Sequence, residues 1–378
     1  TWVTQKLKGL VNVPLITSNR INTPEMAEHV LASGHADMVS MARPLLADAF
    51  FVEKAEQGRS DEINTCIGCN QACLDHIFSM KIATCLVNPR ACHETELLFK
   101  ESAREKNIAV IGAGPAGLSF ATYAADRGHN VTVYDAANQI GGQFNIAKTI
   151  PGKEEFYETL RYFKRKIELQ PRIKLVLNHT VTHEELSQSD FDDIVVATGV
   201  TPRQLQIEGI DHPKVLTYLE VLSHEGESGS LNPEKFYDEW GIDTSYAHVG
   251  GLKAPVVEQS EREIYLLQRK AKSVGASLGK TTGWIHRTGL KHRDVKMIAG
   301  ASYDKIDDQG LHITVNDQSK VIEVDNVIIC AGQESFTAMY EQLKADGKNV
   351  HLIGGAKEAG ELDAKRAIRQ GAELAAVI

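Results

Sequence analysis

Short apolar runs alternate with polar, turn-rich stretches along most of this chain, a pattern that predicts strands alternating with helices. VPLITS (Val13–Ser18) is apolar enough for a buried strand, and TPEMAEHVLASG sets a cap-like Thr23 and Pro24 before a helix ending at Gly34. A second strand is predicted at ADMVSM (Ala36–Met41) and a second helix at PLLADAFFVEKAEQG (Pro44–Gly58). Two such units cannot bury a layer on their own, so the chain is expected to start inside a larger α/β domain. Residues 61–95 lack a period and read as irregular. Strand, helix and strand follow between 107 and 135, and FDDIVVATGV (191–200) is a further strand ending in Gly199. Residues 201–213 read as a crossover, and 223–262 are polar without clear periodicity. Strands resume at EIYLLQRK (263–270), VKMIAG (295–300), GLHITV (310–315) and DNVIICAG (325–332). NVHLIGGA and the helix ELDAKRAIRQGAELAAVI form the last unit.

Composition narrows the class. A chain of 378 residues is long enough for two or three domains. Its net charge of −9 argues against a nucleic-acid partner, which favours a basic face. No apolar run approaches the roughly 18 residues of a membrane span, and the N-terminal TWVTQKLKGLVNVPLITS lacks the apolar core of a signal peptide. Four of the six cysteines cluster, which reads as ligation in a reducing compartment and not as a disulfide framework; the cytoplasm is the expected location.

Two motifs carry chemistry. The first is Gly112-x-Gly114-x-x-Gly117, set between a strand and a helix. Gly112 permits the tight turn, Gly114 lets the backbone approach a pyrophosphate, and Gly117 lets helix and strand pack closely. The helix N-terminus then offers free N–H groups to the phosphates. Asp135, 18 residues beyond Gly117, ends the second strand where a carboxylate can take a ribose hydroxyl. The glycine pair in IGGQF (Ile140–Phe144) would let a flavin sit close. FAD is expected in preference to NAD because VVATG (Val195–Gly199) and LIGGA (Leu352–Ala356) resemble segments of two-dinucleotide flavoproteins.

The second motif is Cys66, Cys69, Cys73 and Cys85, spaced C-x2-C-x3-C-x11-C. Zinc sites more often pair two C-x-x-C knuckles; three ligands within eight residues and a fourth from a loop suit an iron–sulfur cluster better. Zinc and merely buried thiols remain the alternatives on spacing. Cys92 and Cys330 read as spare thiols. Arg20 and Arg43 each follow a predicted strand, where the last two loops of a (β/α)8 barrel build a phosphate site; a solvated surface is the bland alternative. GASLGKTT (Gly275–Thr282) is one residue short of a P-loop between its glycines and lacks a clean strand before it, so nucleotide hydrolysis is not expected. His286 and Arg287 could face a cofactor or lie on a surface turn.

Together, INTCIGCNQACLDHIFSMKIATCLVNPRACHE, GAGPAGL, IGGQFNIAKTIPGKEEF and GKTTGWIHR resemble the C-terminal two-thirds of bacterial 2,4-dienoyl-CoA reductases, a family related to old yellow enzyme and trimethylamine dehydrogenase. The resemblance covers essentially the whole chain. It implies an α/β protein whose residues 1–60 are the C-terminal part of an FMN-binding TIM barrel and whose residues 61–100 form an iron–sulfur segment. A Rossmann-like FAD domain would follow in two parts, 101–200 and 326–378, interrupted by an NAD(P)-binding insertion at 201–325. Electrons would pass from NADPH to FAD, through a [4Fe–4S] cluster, to FMN and a small-molecule enoyl thioester or enone. Carried over by position, Arg20, Ala42 and Arg43 match FMN contacts. Gly112, Gly114, Ala116, Gly117, Asp135, Gln143, Lys153 and Val181 match the FAD region, and the four cysteines match the cluster ligands.

Three departures qualify the resemblance. The first six barrel strands are missing, and with them the family's proton-donating Tyr and His, so no catalytic residue is assigned. The second GxGxxG loop, expected after HPKVLTYLEVL (His212–Leu222), is missing where the chain passes through Ser223–Gly226. Lys357 stands where the last motif carries Asp. A FAD and iron–sulfur electron-transfer module, or an inactive fragment, is therefore the rival reading; an amine dehydrogenase is disfavoured by GKTTGWIHR.

Overall fold

A computed structural model describes residues 1–223, 232–360 and 363–378. The chain divides into two compact units. One comprises residues 1–148, 153–202 and 332–378; the other comprises 149–152 and 203–331.

The first unit is built on a five-stranded parallel sheet. In spatial order its strands are Val350–Leu352, Asp193–Val196, Asn107–Ile111, Asn130–Tyr134 and Ile173–Val176. The strands Asn107–Ile111 and Asp193–Val196 are nearly continuous buried apolar runs because both faces are covered, as a parallel sheet requires. One cover is the helix Pro115–Asp126, buried along most of its length and packed against the helix Ala364–Val377. A side chain at Gly371 would lie 2.4 Å from the Ala116 carbonyl oxygen, so this glycine sets how closely the two helices approach. The other face packs Val181, Leu186 and Leu343 against Ala109, Ile194 and Val196. The chain leaves the Asn107–Ile111 strand toward one neighbour and returns on its other side. This reversal of strand order opens a crevice at the carboxyl ends of the strands.

The N-terminal segment holds only a two-stranded parallel pair, Ile16–Thr17 with Met38–Val39, and the helix Pro24–Ala32. Thr23 caps that helix as expected, its hydroxyl accepting from the Met26 N–H at 3.2 Å. Val13, Ile16 and Met38 stay exposed. The single helix expected over 44–58 is two, Arg43–Ala47 and Phe51–Glu56. Asp48 makes the break: its buried carboxylate accepts the N–H groups of Phe50 and Asn64 and pairs with Lys54 at 2.6 Å. The strand expected over 191–200 also divides. Gly199, at φ +77°, turns the chain, and Val200–Pro202 pairs antiparallel with Gln333–Ser335 instead.

The second unit contains two separate parallel pairs, Val215–Thr217 with Val327–Ile329 and Tyr265–Gln268 with Lys296–Ala299. The latter pair is joined through the helix Gly283–His292. A three-stranded meander, Ser302–Asp307, Gly310–Val315 and Gln318–Ile322, packs Ile306, Leu311, Ile313 and Ile322 into this unit's core. The stretch over 223–262, polar and without clear periodicity, contains the helix Pro233–Glu239, capped by Asn232. The junction read at Ser223–Gly226 lies outside the described residues beyond Ser223. GASLGKTT forms turns leading into the Gly283–His292 helix, with His286 and Arg287 on that helix. Among the described residues no helix is long and apolar enough to cross a membrane.

Candidate redox site

The glycine loop lies at the crevice. Gly112 adopts φ +110°, and a side chain there would meet the Ala197 carbonyl oxygen at 2.4 Å. Gly117 lies directly against the turn. Gly114 differs: nothing lies within 4 Å of where its side chain would project, so its face is open. It caps the Pro115–Asp126 helix without a side-chain bond, and the first-turn amides of such a helix have no partner within it. Ala116 is in that first turn, with Gly354 packed against its methyl group. The second glycine pair folds onto this loop. Gly141 donates to the Ala113 carbonyl at 2.8 Å, and Gly142 lies beside the Gly114 Cα. Two backbone segments without side chains thus border one open surface.

The remaining dinucleotide-region residues divide between that surface and the packing around it. Asp135 accepts from the Ala113 N–H at 2.7 Å and from the Ala137 N–H at 2.8 Å. It therefore orders the glycine loop, and each oxygen keeps a further acceptor site. Gln143 caps the short helix Phe144–Ala147 and donates to Gln333 at 3.4 Å. Lys153 stands 5.7 Å over the Phe156 ring, and burial lowers its amine below the usual lysine range. Val181 is a core side chain.

Cys66, Cys69, Cys73 and Cys85 line one small cavity with Ile67, Leu86 and Val87 among its apolar walls. Burial pushes the Cys69 and Cys85 thiols up to about 12 and raises Cys66 as well. Among the described residues no three His, Cys, Asp or Glu side chains gather tightly enough to hold a metal ion. The four cysteines share that cavity.

Residues from distant parts of the sequence hold this segment. Asn22 donates to the Cys66 carbonyl at 3.0 Å and to Glu155 at 3.1 Å. Glu155 also pairs with Arg20 at 2.6 Å. Ala42 caps the short helix that begins with Arg43, and Arg43 donates to Asn70 at 2.8 Å. The two strand-end arginines are thus each tied into the cysteine region or its surroundings. Phe156 packs against the cluster containing Cys66, Cys69 and Cys85 and stacks on Phe144, with ring centroids 4.9 Å apart. Sequence reading missed Asn22, Asn70, Glu155 and this aromatic pair; only the adjacency of Phe144 to IGGQ and of Glu155 and Phe156 to Lys153 could have signalled them.

Comparisons with known proteins agree with this architecture. The pyridine nucleotide-disulphide oxidoreductase family matches residues 106–353, and the NADH:flavin oxidoreductase / NADH oxidase family matches residues 2–62. A metal reductase of Desulforamulus reducens is 32% identical over 93% of this chain and 56% of its own length. A cinnamate reductase of Clostridium sporogenes is 28% identical over 93% of this chain and 51% of its own. The solved complex of 2-naphthoyl-CoA reductase with 2-naphthoyl-CoA superposes with a TM-score of 0.85 at 27% identity, covering all of this chain and 56% of that one. The chain thus spans about half the length of the curated relatives it matches. With two thirds of its residues matched by one family and its glycine loop at the sheet's switch point, the chain belongs to the pyridine nucleotide-disulphide oxidoreductase family and carries part of an NADH:flavin oxidoreductase domain at its N-terminal end.

Proposed function

We propose that this chain is the electron-entry part of an NADPH-dependent iron–sulfur flavoprotein that reduces a conjugated enoyl thioester or enone, in the manner of 2,4-dienoyl-CoA reductase. The observation that carries the reading is the placement of four cysteines around one cavity of the same unit as an open glycine crevice. When bound, FAD would take a hydride from NADPH, and a [4Fe–4S] cluster would pass single electrons toward FMN. The printed names of two relatives, a cinnamate reductase and a 2-naphthoyl-CoA reductase, support a conjugated substrate. Cytoplasmic location and a role in unsaturated fatty-acid breakdown belong to this proposal.

The chain's own residues would divide the work as follows. Gly112, Gly114, Ala116 and Gly117 would admit the FAD pyrophosphate to the helix N-terminus. Asp135 would hold the ribose with the acceptor capacity left after Ala113 and Ala137. Gln143, Lys153 and Val181 would border the flavin nucleotide. Cys66, Cys69, Cys73 and Cys85 would hold the cluster, which thiolates bind in irregular loops of this kind. Binding would release the protons that burial holds on Cys66, Cys69 and Cys85. Arg20, Ala42 and Arg43 would border FMN. Residues 1–60, 61–100, 101–200 with 326–378, and 201–325 would correspond to barrel, cluster segment, FAD domain and nicotinamide insertion. The separation of the two parallel pairs in the second unit supports a missing βα unit in that insertion.

An anaerobic titration with NADPH, then dithionite, tests the reading through flavin and cluster absorbance. Bleaching by NADPH is the expected result. Bleaching by dithionite alone would leave an electron-transfer module without nicotinamide entry. A purified chain holding neither flavin nor iron after reconstitution would overturn the proposal.

A further inference from the structure

We propose that Arg43 is the resident cation of the cysteine cavity, held there by Asn70, and that it governs how readily the group bound by the four thiolates accepts an electron. This rests on reading the cavity as an iron–sulfur site. Arg43 lines the same cavity as Cys66, Cys69, Cys73 and Cys85, and it is the single basic side chain among the described residues lining it. A guanidinium keeps its charge at any pH the protein experiences.

The tether comes from the ligand loop itself. Asn70 follows Cys69 directly and adopts φ +59°, and its side-chain oxygen accepts from Arg43 Nη1 at 2.8 Å. The turn that places Cys69 thereby also places the cation.

One-electron uptake makes or breaks no bond to the protein; it leaves the ligated group one charge more negative. The electron would come from the reduced flavin in turnover, or from dithionite in a test. A fixed positive charge in an apolar wall stabilises the more negative state, and electrostatic surroundings are a principal control of cluster potentials. Arg43 is therefore a positioning and tuning residue in this account, whatever contact it also makes with an FMN phosphate.

The test uses the full chain reconstituted anaerobically, with iron and sulfide content measured beside an EPR-monitored reductive titration. Arg43→Gln is expected to keep its iron and lose about tenfold in the equilibrium constant for reduction, a midpoint lower by about 59 mV for one electron. Arg43→Lys, which keeps the charge, should fall between. Asn70→Gly removes the tether while glycine accepts the left-handed backbone, and it should lower the midpoint by a smaller amount. Full iron with an unchanged midpoint in Arg43→Gln overturns the proposal. Should that variant fail to load iron, Asn70→Gly decides in the same way. Loss of iron from all three variants would make Arg43 structural, which also overturns it. A wild-type chain that takes up no iron defeats the cysteine-site reading itself, a failure distinguishable from an unchanged midpoint.

Discussion

A methyl group at Gly117 would lie 2.0 Å from the carbonyl oxygen of Gly112, and the backbone cannot yield there without moving the helix off its strand. Gly114, three residues earlier in the same motif, would place its methyl in open space, with φ −78° and ψ 178° that any residue adopts. The same substitution should therefore have opposite effects at the two positions. Gly117→Ala should cost about 3 kcal/mol, at the upper end of overpacking penalties, and lower the melting temperature of the flavin-free protein. Gly114→Ala should leave that melting temperature unchanged and weaken FAD binding by about tenfold or more, because the backbone can no longer approach a pyrophosphate. Differential scanning fluorimetry and a flavin fluorescence titration separate the two effects. Wild-type FAD affinity in Gly114→Ala would exclude its open face as the phosphate site.

Asp48 offers a second test, set away from the cofactors. Its carboxylate is 5% exposed, and it joins the N-terminal helices to Asn64, two residues before the first cysteine of the cavity. Removing it would strand Lys54 Nζ with the Glu62 carbonyl as its remaining described acceptor and leave two amide donors unsatisfied. Asp48→Ala should cost about 3 kcal/mol, the usual range for breaking a buried pair. Asp48→Asn, which keeps one oxygen, should cost less. The readout is the urea midpoint at constant slope; a change below about 1 kcal/mol in Asp48→Ala would show that the segment tolerates the loss.

Asp48 also marks where the sequence stopped being informative. The glycine loop and the Asn107–Ile111 and Asn130–Tyr134 strands were legible because local backbone requirements and apolar period point to the same answer. The four cysteines were legible by spacing, and they do line one cavity. The break in the 44–58 helix was not, because it depends on Asn64 reaching back across sixteen residues to a buried carboxylate. The Phe156–Leu169 helix went unread although its polar and apolar faces alternate at helical spacing. The edge strands Ser302–Asp307 and Gln318–Ile322 were hidden by their charged and polar outward positions. Arg20 and Arg43 were singled out from their place after strands, but their partners Glu155 and Asn70 could not be: each pairing joins residues far apart in sequence.

His129 supplies a pH dependence unconnected with any cofactor. The ring is fully buried at the amino-terminal edge of the five-stranded sheet, between the Pro115–Asp126 helix and the Asn130–Tyr134 strand. Its Nδ1 accepts the Lys106 N–H at 3.3 Å, so the neutral ring carries its proton on Nε2, which has no partner among the described residues. Burial, then the Arg127 and Lys106 charges, lower its pKa below the usual 6.5; Asp193 and Glu105 oppose them without reversing the direction. A folded-state value below the unfolded one means the unfolded chain binds the proton more readily. The stability contributed by the neutral ring is therefore complete above pH 6.5 and is lost as pH falls through the folded-state value. His129→Gln retains an acceptor for the Lys106 amide but cannot titrate. Wild-type melting temperature should fall more steeply than that of His129→Gln as pH is lowered from 6.5, with the two profiles parallel above it. Parallel profiles throughout the acid range would mean that His129 is protonated as easily when folded as when unfolded, and that the unpartnered Nε2 finds an acceptor in solution.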